Sequence, residues 1–259
     1  MNTIEFVSQL AMETGDILMN YYRRSGTRSQ LKSDRTVVTE ADLAADLYLR
    51  NRISQAYPEN PILSEESNTT YPTNQSAVWV IDPLDGTTNF SLGLHYWGVS
   101  IARIINGYPE LGVLYFPLLG ELFTASLGEG AYLNDSHLEV KPPNPSQPTS
   151  FFSCCSRANR YYNVDIKYKT RILGSAAYGL ATVARGSAIL AFEVTPKVWD
   201  FSASWLIMQE AGGLIAPLDG EEPFPLIPGV DYKSKSFPIL AAATSELLAE
   251  GQYKIKKKT

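Results

Sequence analysis

The spacing of apolar positions predicts two helices at the start of the chain. Residues 3 to 23 form an amphipathic helix in this interpretation, because apolar side chains recur there at helical spacing. These side chains are Ile4, Val7, Leu10, Ala11, Ile17, Leu18 and Tyr21. A second helix is predicted over residues 39 to 57, ending before a proline, with Leu43, Leu47 and Ile53 facing inward.

Short apolar runs separated by Gly, Pro and Asn predict strands in the middle of the chain. The stretch PILSEES, residues 61–67, is typical of a short strand that runs into acids. Residues 77–81 are apolar at every position and mostly β-favouring, which predicts a strand covered on both faces. Residues 96–107 and 108–135 then show the pattern of antiparallel strands joined by tight turns.

A proline-rich stretch marks the predicted boundary between two halves of the chain. Residues 141–150, KPPNPSQPTS, contain four prolines and no apolar pattern, so we predict one half over residues 1–143 and another over 144–259. The first half is α+β, and the second alternates strands and helices as an α/β half does. The alternating segments are FFSCCS, SAAYGLATVARG, AILAFEV, DFSASWLIMQEAGG and FPILAAA.

Composition and charge exclude several classes of protein. Hydrophobic residues at 44% and charged residues at 19% are typical of a soluble folded chain. The net charge is −5 and the only basic cluster is Lys254 to Lys258, which argues against a nucleic-acid-binding surface. The sequence shows neither a signal-peptide apolar block nor the run of about 18 apolar residues that a membrane span needs. The two cysteines, Cys154 and Cys155, are adjacent and predict no disulfide framework. We therefore expect a cytoplasmic protein that contacts neither membrane nor nucleic acid directly.

Two aspartates follow the predicted buried strand directly. In the stretch WVIDPLDGTTNFSLG, residues 79–93, Asp82 and Asp85 come at the carboxyl end of the strand, where open α/β sheets bind ligands. A carboxylate in that position is costly to bury unless a cation compensates it. The alternative is a turn that uses Asp and Pro for its geometry.

Three other acidic positions also have local alternatives. Asp42 fits the capping box of the second helix, Glu65 and Glu66 fit a solvated turn, and Asp200 fits an N-cap. Together with the paired aspartates, however, acids at strand ends and helix starts are typical of a Mg²⁺ site, because hard cations prefer oxygen ligands. Two Mg²⁺ ions suit phosphoryl transfer, since one activates the attacking water and the other stabilises the leaving oxygen.

Two segments are candidates for binding the phosphate. Gly86, Thr87 and Thr88 follow the aspartates and suit a helix start, where backbone N–H groups point at an anion. Gly174 and Ser175 precede a predicted helix in the same way. For the second segment an ordinary serine N-cap explains the spacing equally well.

The motifs resemble those of the inositol monophosphatase family, which are Mg²⁺-dependent, lithium-sensitive phosphatases. WVIDPLDGTTNF and VWDFSASWLIMQEAGG resemble the two signatures of that family. The likeness continues through LKSDRTVVTEAD, ILSEES, GELFTASLGEGAYLN and LGSAA, so that it covers nearly the whole chain in the expected order. The resemblance implies a layered αβαβα sandwich of the sugar-phosphatase type and a homodimer.

The resemblance also implies the ligands of two or three Mg²⁺ ions. Glu66 and Asp82, with the carbonyl of Leu84, would hold the first ion. Asp82, Asp85 and Asp200 would hold the second. A third, weaker ion would lie near the glutamate pair.

Catalytic and substrate roles follow from the same resemblance. Glu66 and Thr87 would position the nucleophilic water, Asp42 would polarise Thr87, and Lys32 would lie near the metals. The implied substrate-binding residues are Gly86, Thr87, Gly174, Ser175, Ala176, Glu193 and Asp200. Glu193 lies seven residues before Asp200, the spacing at which inositol-specific members carry a glutamate that binds sugar hydroxyls.

Departures from the family pattern leave the substrate open. Ser64 stands where many members have Gly, and Ser204 and Trp205 alter either packing or the substrate rim. Inositol monophosphate is the leading substrate. The alternatives are fructose 1,6-bisphosphate, histidinol phosphate, 3′-phosphoadenosine phosphate, or a mainly regulatory binding role, since some bacterial relatives act within transcription complexes.

Overall fold

The computed structural model of the chain describes residues 2–22, 29–31, 37–143 and 150–258. Within these ranges the helices are α1 (Thr3–Tyr22), α2 (Glu40–Ala56), α3 (Thr87–Ser91), α4 (Ala158–Tyr161), α5 (Ala176–Ala184), α6 (Val198–Glu210) and α7 (Ser245–Lys254). The strands are β1 (Ser29–Leu31), β2 (Val37–Thr39), β3 (Ile62–Ser64), β4 (Ala77–Asp85), β5 (Gly98–Ile105), β6 (Tyr108–Phe116), β7 (Glu121–Ser126), β8 (Gly130–Leu133), β9 (Ser136–Leu138), β10 (Phe151–Cys154), β11 (Tyr162–Val164), β12 (Thr170–Arg171), β13 (Ala188–Glu193), β14 (Leu214–Pro217), β15 (Ile239–Ala242) and β16 (Ile255–Lys257).

Two large sheets organise most of these elements, and the described strands also form two small pairs, β1–β2 and β11–β16. The first has seven strands in the order β3-β4-β5-β6-β7-β8-β9, antiparallel except for the parallel pair β3–β4. The second has five strands in the order β12-β10-β13-β15-β14, with β10 parallel to both of its neighbours and β15 antiparallel to both of its own. The mixture of parallel and antiparallel pairs confirms the predicted α+β and α/β character.

Helices cover both sheets and form alternating layers. α1 and α2 pack on one face of the first sheet, and α6 packs on its other face. α5 packs against both α6 and the second sheet, and α7 covers the far side of that sheet. Each sheet is therefore buried between helices, which confirms the αβαβα sandwich. None of the helices in these ranges is long and apolar enough to cross a membrane.

The inward face of α2 differs from the prediction. Leu43 and Leu47 are 54% and 53% exposed, so the expectation that they face inward was wrong, whereas Ile53 is buried. The buried positions of the helix are Ala41, Asp42, Ala45, Asp46, Leu49 and Ile53. The small alanines let α2 approach the sheet closely, and the two aspartates on that stripe accept hydrogen bonds from the hydroxyl groups of Thr87 and Ser64. The buried side of this helix therefore combines small and apolar residues with two hydrogen-bonded aspartates, and the two leucines fall on the other side.

Strand β4 runs further than the sequence pattern indicates. It is buried at every position, as predicted, but it continues from Ala77 through Asp85 instead of ending at Ile81. Its pairing with β5 shifts register between Asp82, opposite Ser100, and Asp85, opposite Gly98. Pro83 lies in this irregularity, where its missing N–H costs no ladder hydrogen bond.

The predicted boundary between residues 143 and 144 adjoins positions 144–149, which lie outside the described residues. The division into halves therefore stays a prediction. One hydrophobic cluster draws on both sides of it, since Val80 and Leu114 from the first sheet share it with Leu180 and Phe201 from the second half. The layer formed by α5 and α6 therefore packs against both sheets and belongs to the hydrophobic core of each.

Candidate active site

A cleft of about 970 Å³ lies where β4 ends and α3, α5 and α6 begin. Every site residue predicted in the described part of the chain, apart from Asp42, lines it. Asp42 lies directly behind the wall, in contact with Thr87. The predicted Lys32 lies outside the described residues.

Three carboxylates converge at the floor of the cleft. Glu65, Asp82 and Asp200 each offer an oxygen within 4.8 Å of the other two. The prediction named Glu66 instead of Glu65; Glu66 lines the cleft but is not a member of this group. The donor set consists of hard oxygen ligands, which fits Mg²⁺.

The register of the parallel pair β3–β4 explains why Glu65 joins the group. Ser64 pairs with Ile81, and the Glu65 N–H donates to the Ile81 carbonyl at 3.4 Å. The pairing therefore continues to place Glu65 beside Asp82. The sequence contains a signal for this arrangement. Glu65 is the first acid after β3 and Asp82 is the first acid in the parallel strand β4, so the two come to lie side by side.

Burial and like charge dominate the electrostatics of this floor. Asp82 is 2% exposed, and burial, followed by the charges of Glu65 and Asp200, holds the pKa of its carboxyl well above the ordinary value. Burial and the charges of Glu65 and Asp85 likewise raise the pKa of Asp200 well above its usual range. Clustered carboxylates of this kind are not all ionised together without a cation, so the residues present fit a divalent metal.

Asp85 is bound by the start of α5. The Ser175 hydroxyl donates to its carboxylate, and the N–H groups of Ala176 and Ala177 donate at 3.2 Å each. Burial raises the pKa of Asp85 to about 6, while these hydrogen bonds oppose the rise. The backbone amide of Ala176, predicted to meet substrate, therefore contacts a predicted metal ligand here. Ser175 is also the N-cap of α5, because its oxygen accepts from the Tyr178 N–H at 3.1 Å.

Asp42 closes the capping box of α2 and also contacts Thr87, so the two interpretations of this residue are compatible. Its Oδ2 accepts from the Thr39 N–H at 2.8 Å, which closes the capping box of α2. Its Oδ1 accepts from the Thr87 hydroxyl at 3.0 Å. Burial raises the pKa of Asp42 to about 6, and its hydrogen bonds to Thr39 and Thr87 lower it. The carboxyl is therefore mostly ionised at neutral pH and orients the Thr87 hydroxyl.

The start of α6 rules out the local alternative for Asp200, in which this residue is the N-cap of the helix. The helix begins at Val198 with Lys197 as N-cap, so Asp200 is the third residue of the helix and not its cap. Its carboxylate accepts from the Lys197 N–H at 2.8 Å. The Trp199 carbonyl accepts from the Ser100 hydroxyl at 3.0 Å, which fastens this end of α6 to β5. A carboxylate at the third helical position points back over the helix start, toward Asp82.

Asn89 is a site residue that sequence reasoning missed. Its side-chain amide donates to the carbonyls of Tyr96 at 2.6 Å and Leu173 at 2.7 Å, which ties the segment around α3 to the approach of α5. A Cβ on Gly174, whose φ is +77°, would lie 2.7 Å from the Asn89 oxygen. The glycine is therefore needed for both its backbone conformation and its close contact.

Glu193 lies at the end of β13, in the wall of the cleft. It is 8% exposed, and Cys155 hydrogen-bonds to it. Burial, with the charges of Asp85 and Asp200, raises the pKa of Glu193 well above its ordinary value. A buried carboxyl beside the three carboxylates of the floor is suited to bind a hydroxyl group of a ligand.

The three departures from the family pattern all act through buried contacts. Ser64 donates from its hydroxyl to Asp46 at 2.5 Å, and its oxygen accepts from the Glu66 N–H at 3.3 Å. Ser204 donates to the Ala177 carbonyl at 3.3 Å, and Trp205 packs on Phe224 with ring centroids 5.3 Å apart. Neither Ser204 nor Trp205 lines the cleft, so they alter packing and not the substrate rim.

The sequence profile of the inositol monophosphatase family matches residues 2–257 of the chain. The Nus factor SuhB of Escherichia coli is 37% identical over 221 residues, which span 81% of this chain and 83% of that protein. The extragenic suppressor protein suhB of Bartonella henselae has a similar structure, with a TM-score of 0.80, 28% identity and 96% of each chain covered. An IMPase of Thermotoga maritima reaches a TM-score of 0.79 at 25% identity, covering 98% of this chain and 97% of that one.

A third similar structure contains Mg²⁺ and phosphate. It is an IMPase/NADP phosphatase complexed with Mg²⁺ and phosphate, with a TM-score of 0.75 at 22% identity, covering 95% of this chain and 91% of that one. At this level of identity the likeness concerns the fold alone.

Proposed function

Because this chain belongs to the inositol monophosphatase family of phosphatases, we propose that it is a Mg²⁺-dependent phosphomonoesterase that hydrolyses inositol monophosphate to inositol and phosphate. The observation that carries the proposal is the convergence of Glu65, Asp82 and Asp200 at the floor of a cleft large enough for a phosphorylated polyol. Phosphoryl transfer depends on positioning and charge stabilisation, and this cleft supplies groups for both.

Mg²⁺ is the proposed cofactor, with two or three ions held by the clustered oxygens. Glu65, Asp82, Asp85 and Asp200, with the Leu84 carbonyl, would hold it, and Glu65 takes the place that the sequence assigned to Glu66. Bound Mg²⁺ makes water more nucleophilic and stabilises the negative charge that develops on the phosphate oxygens. The raised pKa values of Asp82 and Asp200 support this assignment, since burial and the neighbouring carboxylates disfavour the ionised form of both groups.

Thr87 and Asp42 orient the attacking water in this proposal. The Thr87 hydroxyl donates either to Asp42 Oδ1 or to the Leu84 carbonyl, both at 3.0 Å. When the Leu84 carbonyl binds Mg²⁺, the hydroxyl donates its proton to Asp42 instead, and its oxygen is left to accept a hydrogen bond from water. Glu66 keeps its proposed role as a second acceptor for that water, and it lines the same cleft.

Gly86 and Glu193 bind the two ends of the substrate in this proposal. The Gly86 segment, at the start of α3, faces the phosphate, and the Gly174–Ala176 turn closes the opposite wall. Glu193 accepts hydrogen bonds from polyol hydroxyls. This orientation places the ester oxygen over the carboxylate floor.

The protein acts in the cytoplasm as a homodimer in the same proposal. Leu94, Tyr96 and Ile172 are apolar and exposed at the mouth of the cleft, which supports burial of this surface in a dimer. Light scattering combined with gel filtration tests the oligomeric state, and a mass equal to one chain would exclude the dimer.

A regulatory binding role is the second candidate function. The E. coli relative is named Nus factor SuhB, and this role agrees with the expectation that some bacterial members of the family act within transcription complexes. The two functions make different predictions for an enzyme assay.

The test is phosphate release from a panel of inositol, sugar, amino-alcohol and nucleotide monophosphates, with Mg²⁺ and with EDTA. The proposed function requires Mg²⁺-dependent release from inositol monophosphate at the highest kcat/KM of the panel. A better substrate within the panel would reassign the specificity. Activity on none of them would favour the binding role.

A further inference from the structure

A buried glycine lies inside α5 at a position where the backbone does not require one. Gly179 is in the middle of the helix, and its φ lies outside the left-handed region. Glycine destabilises the interior of a helix relative to alanine, because it loses more conformational freedom on folding. The absence of a side chain at this position therefore has its reason in the groups that pack against it.

The carboxylate of Glu193 occupies the space that a side chain at position 179 would need. A Cβ on Gly179 would lie 2.8 Å from Glu193 Oε1 and 3.1 Å from the hydroxyl oxygen of Ser153. The first distance is too short for a real Cβ, so a larger residue at this position would displace the carboxylate. Glu193 reaches its position against α5 because residue 179 has no side chain.

The second sheet brings Cys155 beside the same carboxylate. In the parallel pair β10–β13, Cys154 lies opposite Phe192, and the Cys155 N–H donates to the Phe192 carbonyl at 3.0 Å. The pairing therefore continues to place Cys155 next to Glu193, and the two side chains are hydrogen-bonded. Cys155 and Glu193 both line the cleft, whereas Gly179 is not among the described residues that line it. Gly179 thus affects a ligand only through Glu193.

We propose that Gly179 and Cys155 are positioning residues, which hold the Glu193 carboxylate where it recognises a polyol and so determine the preference of the cleft for polyol phosphates. The inference rests on the proposed phosphatase function and deepens it. Gly179 leaves room for one carboxylate oxygen, and the Cys155 thiol donates to the carboxylate and limits its rotation. A hydrogen bond to a substrate hydroxyl depends on distance and angle, so a displaced carboxylate recognises the polyol less well.

The test measures the ratio of kcat/KM for inositol monophosphate to kcat/KM for a chromogenic aryl phosphate, both with Mg²⁺. Gly179→Ala should lower this ratio about tenfold, mainly through a higher KM for inositol monophosphate, because the added methyl group displaces the carboxylate. Gly251→Ala is the matched control and should leave the ratio unchanged. Gly251 is a buried glycine inside α7 and is not among the described residues of the cleft.

Two substitutions of Cys155 test the hydrogen bond. Cys155→Ala removes the donor and should lower the same ratio about threefold to tenfold. Cys155→Ser keeps a donor and should restore most of the loss. In a Glu193→Ala background, neither Gly179→Ala nor Cys155→Ala should lower the ratio further, because the group that they position is absent.

An unchanged ratio in both Gly179→Ala and Cys155→Ala would overturn the positioning role. Equal losses on the two substrates, or losses that persist in the Glu193→Ala background, would also overturn it, because the two residues would then act on the fold and not on Glu193. Each of these outcomes leaves the phosphatase function standing. Failure of the wild type to hydrolyse either substrate would overturn the proposed function, and the positioning role with it.

Discussion

The carboxylate of Asp82 is the most constrained group of the site at the scale of single residues. It is nearly inaccessible to water, its Oδ1 accepts from the Leu84 N–H at 3.0 Å, and Glu65 and Asp200 lie within reach of the same cation. Such a carboxylate is costly to bury without a cation, so its presence here depends on metal binding.

We expect Asp82→Asn to lower turnover by at least about 10³, because the amide keeps the shape but loses the charge that binds the metal. The measurement is kcat for phosphate release at saturating Mg²⁺. Glu139→Gln, an exposed acid outside the cleft, is the control. An Asn variant within tenfold of the wild type would refute the assignment of Asp82.

We expect Glu193→Gln to spare Mg²⁺ affinity and to weaken the binding of a polyol substrate. A mismatched hydrogen-bond partner costs about 1–3 kcal/mol at a buried site, which corresponds to a rise of about tenfold or more in KM. The comparison is between inositol monophosphate and a featureless aryl phosphate. Equal losses on both substrates would mean that Glu193 does not recognise the polyol.

Lithium is expected to inhibit the enzyme through the position between Asp82, Asp85 and Asp200. Li⁺ is similar in size to Mg²⁺ but carries half its charge, so it competes for the same small oxygen site while K⁺ is too large. We expect uncompetitive or noncompetitive inhibition toward substrate, since the ion competes with the metal and not with the ester. A substrate-saturation series in LiCl against matched KCl measures it, and equal rates in the two salts would contradict the prediction.

At the scale of single elements, helix α2 connects two segments of the cleft to which we assign catalytic roles. Asp42 and Asp46 lie four residues apart on its buried stripe, and each accepts a hydrogen bond from a hydroxyl group across the site. Asp42 binds Thr87, at the start of α3, and Asp46 binds Ser64, at the end of β3. Asp46 also pairs with Arg50 at 2.8 Å. The helix therefore fixes the position of the turn at Glu65 relative to Thr87, the threonine that we propose positions the attacking water.

We expect Ser64→Ala to lower the free energy of unfolding by about 1–3 kcal/mol, because it leaves Asp46 Oδ1 buried without its donor. It should also weaken Mg²⁺ binding, since Glu65 follows Ser64 directly. Denaturant unfolding measures the first effect, and calorimetric titration with Mg²⁺ measures the second. A loss of stability with unchanged Mg²⁺ affinity would show that the Ser64–Asp46 contact only supports the fold.

The whole molecule combines buried acids whose pKa values are raised, and this makes its stability depend on pH. Asp42 and Asp85 each have a pKa of about 6 in the folded state, against 3.8 ordinarily. The folded state therefore holds these protons more tightly than the unfolded chain does. The stability that they contribute is fully present below about pH 4 and is lost as the pH rises through about 6. Asp82 and Asp200 extend the loss to higher pH, since their pKa values are raised further.

Mg²⁺ should reverse this loss, because the cation compensates the carboxylates once they are ionised. We expect the difference in Tm between Mg²⁺ and EDTA to increase as the pH rises from about 5 to about 8. Thermal unfolding across this range in both media measures the difference. The Asp82→Asn variant should show a smaller increase. If the Tm difference between Mg²⁺ and EDTA did not change with pH, the buried carboxylates would not be the groups that bind Mg²⁺.

The sequence by itself determined the layers of the fold and most of the acids that line the cleft. Asp82, Asp85 and Asp200 are identified by short motifs, because the residues around them specify a buried strand or a helix start within a few positions. The capping box that joins Thr39 to Asp42 is local for the same reason. Local hydrogen bonds and apolar periodicity act over one or two turns of chain, so they can be recognised without knowing what lies across the fold.

The tertiary structure alone decided the contacts between distant segments. Glu65 lies beside Asp82 because of the β3–β4 register, and Leu43 is exposed because other residues, two of them hydrogen-bonded aspartates, form the buried stripe of α2. The bridge made by Asn89 joins residues 84 positions apart in the chain. Arg157 and Lys233 come from separate loops and line one cleft only after the second sheet has formed. Such neighbours are selected by the packing of whole elements, which no local pattern along the chain encodes.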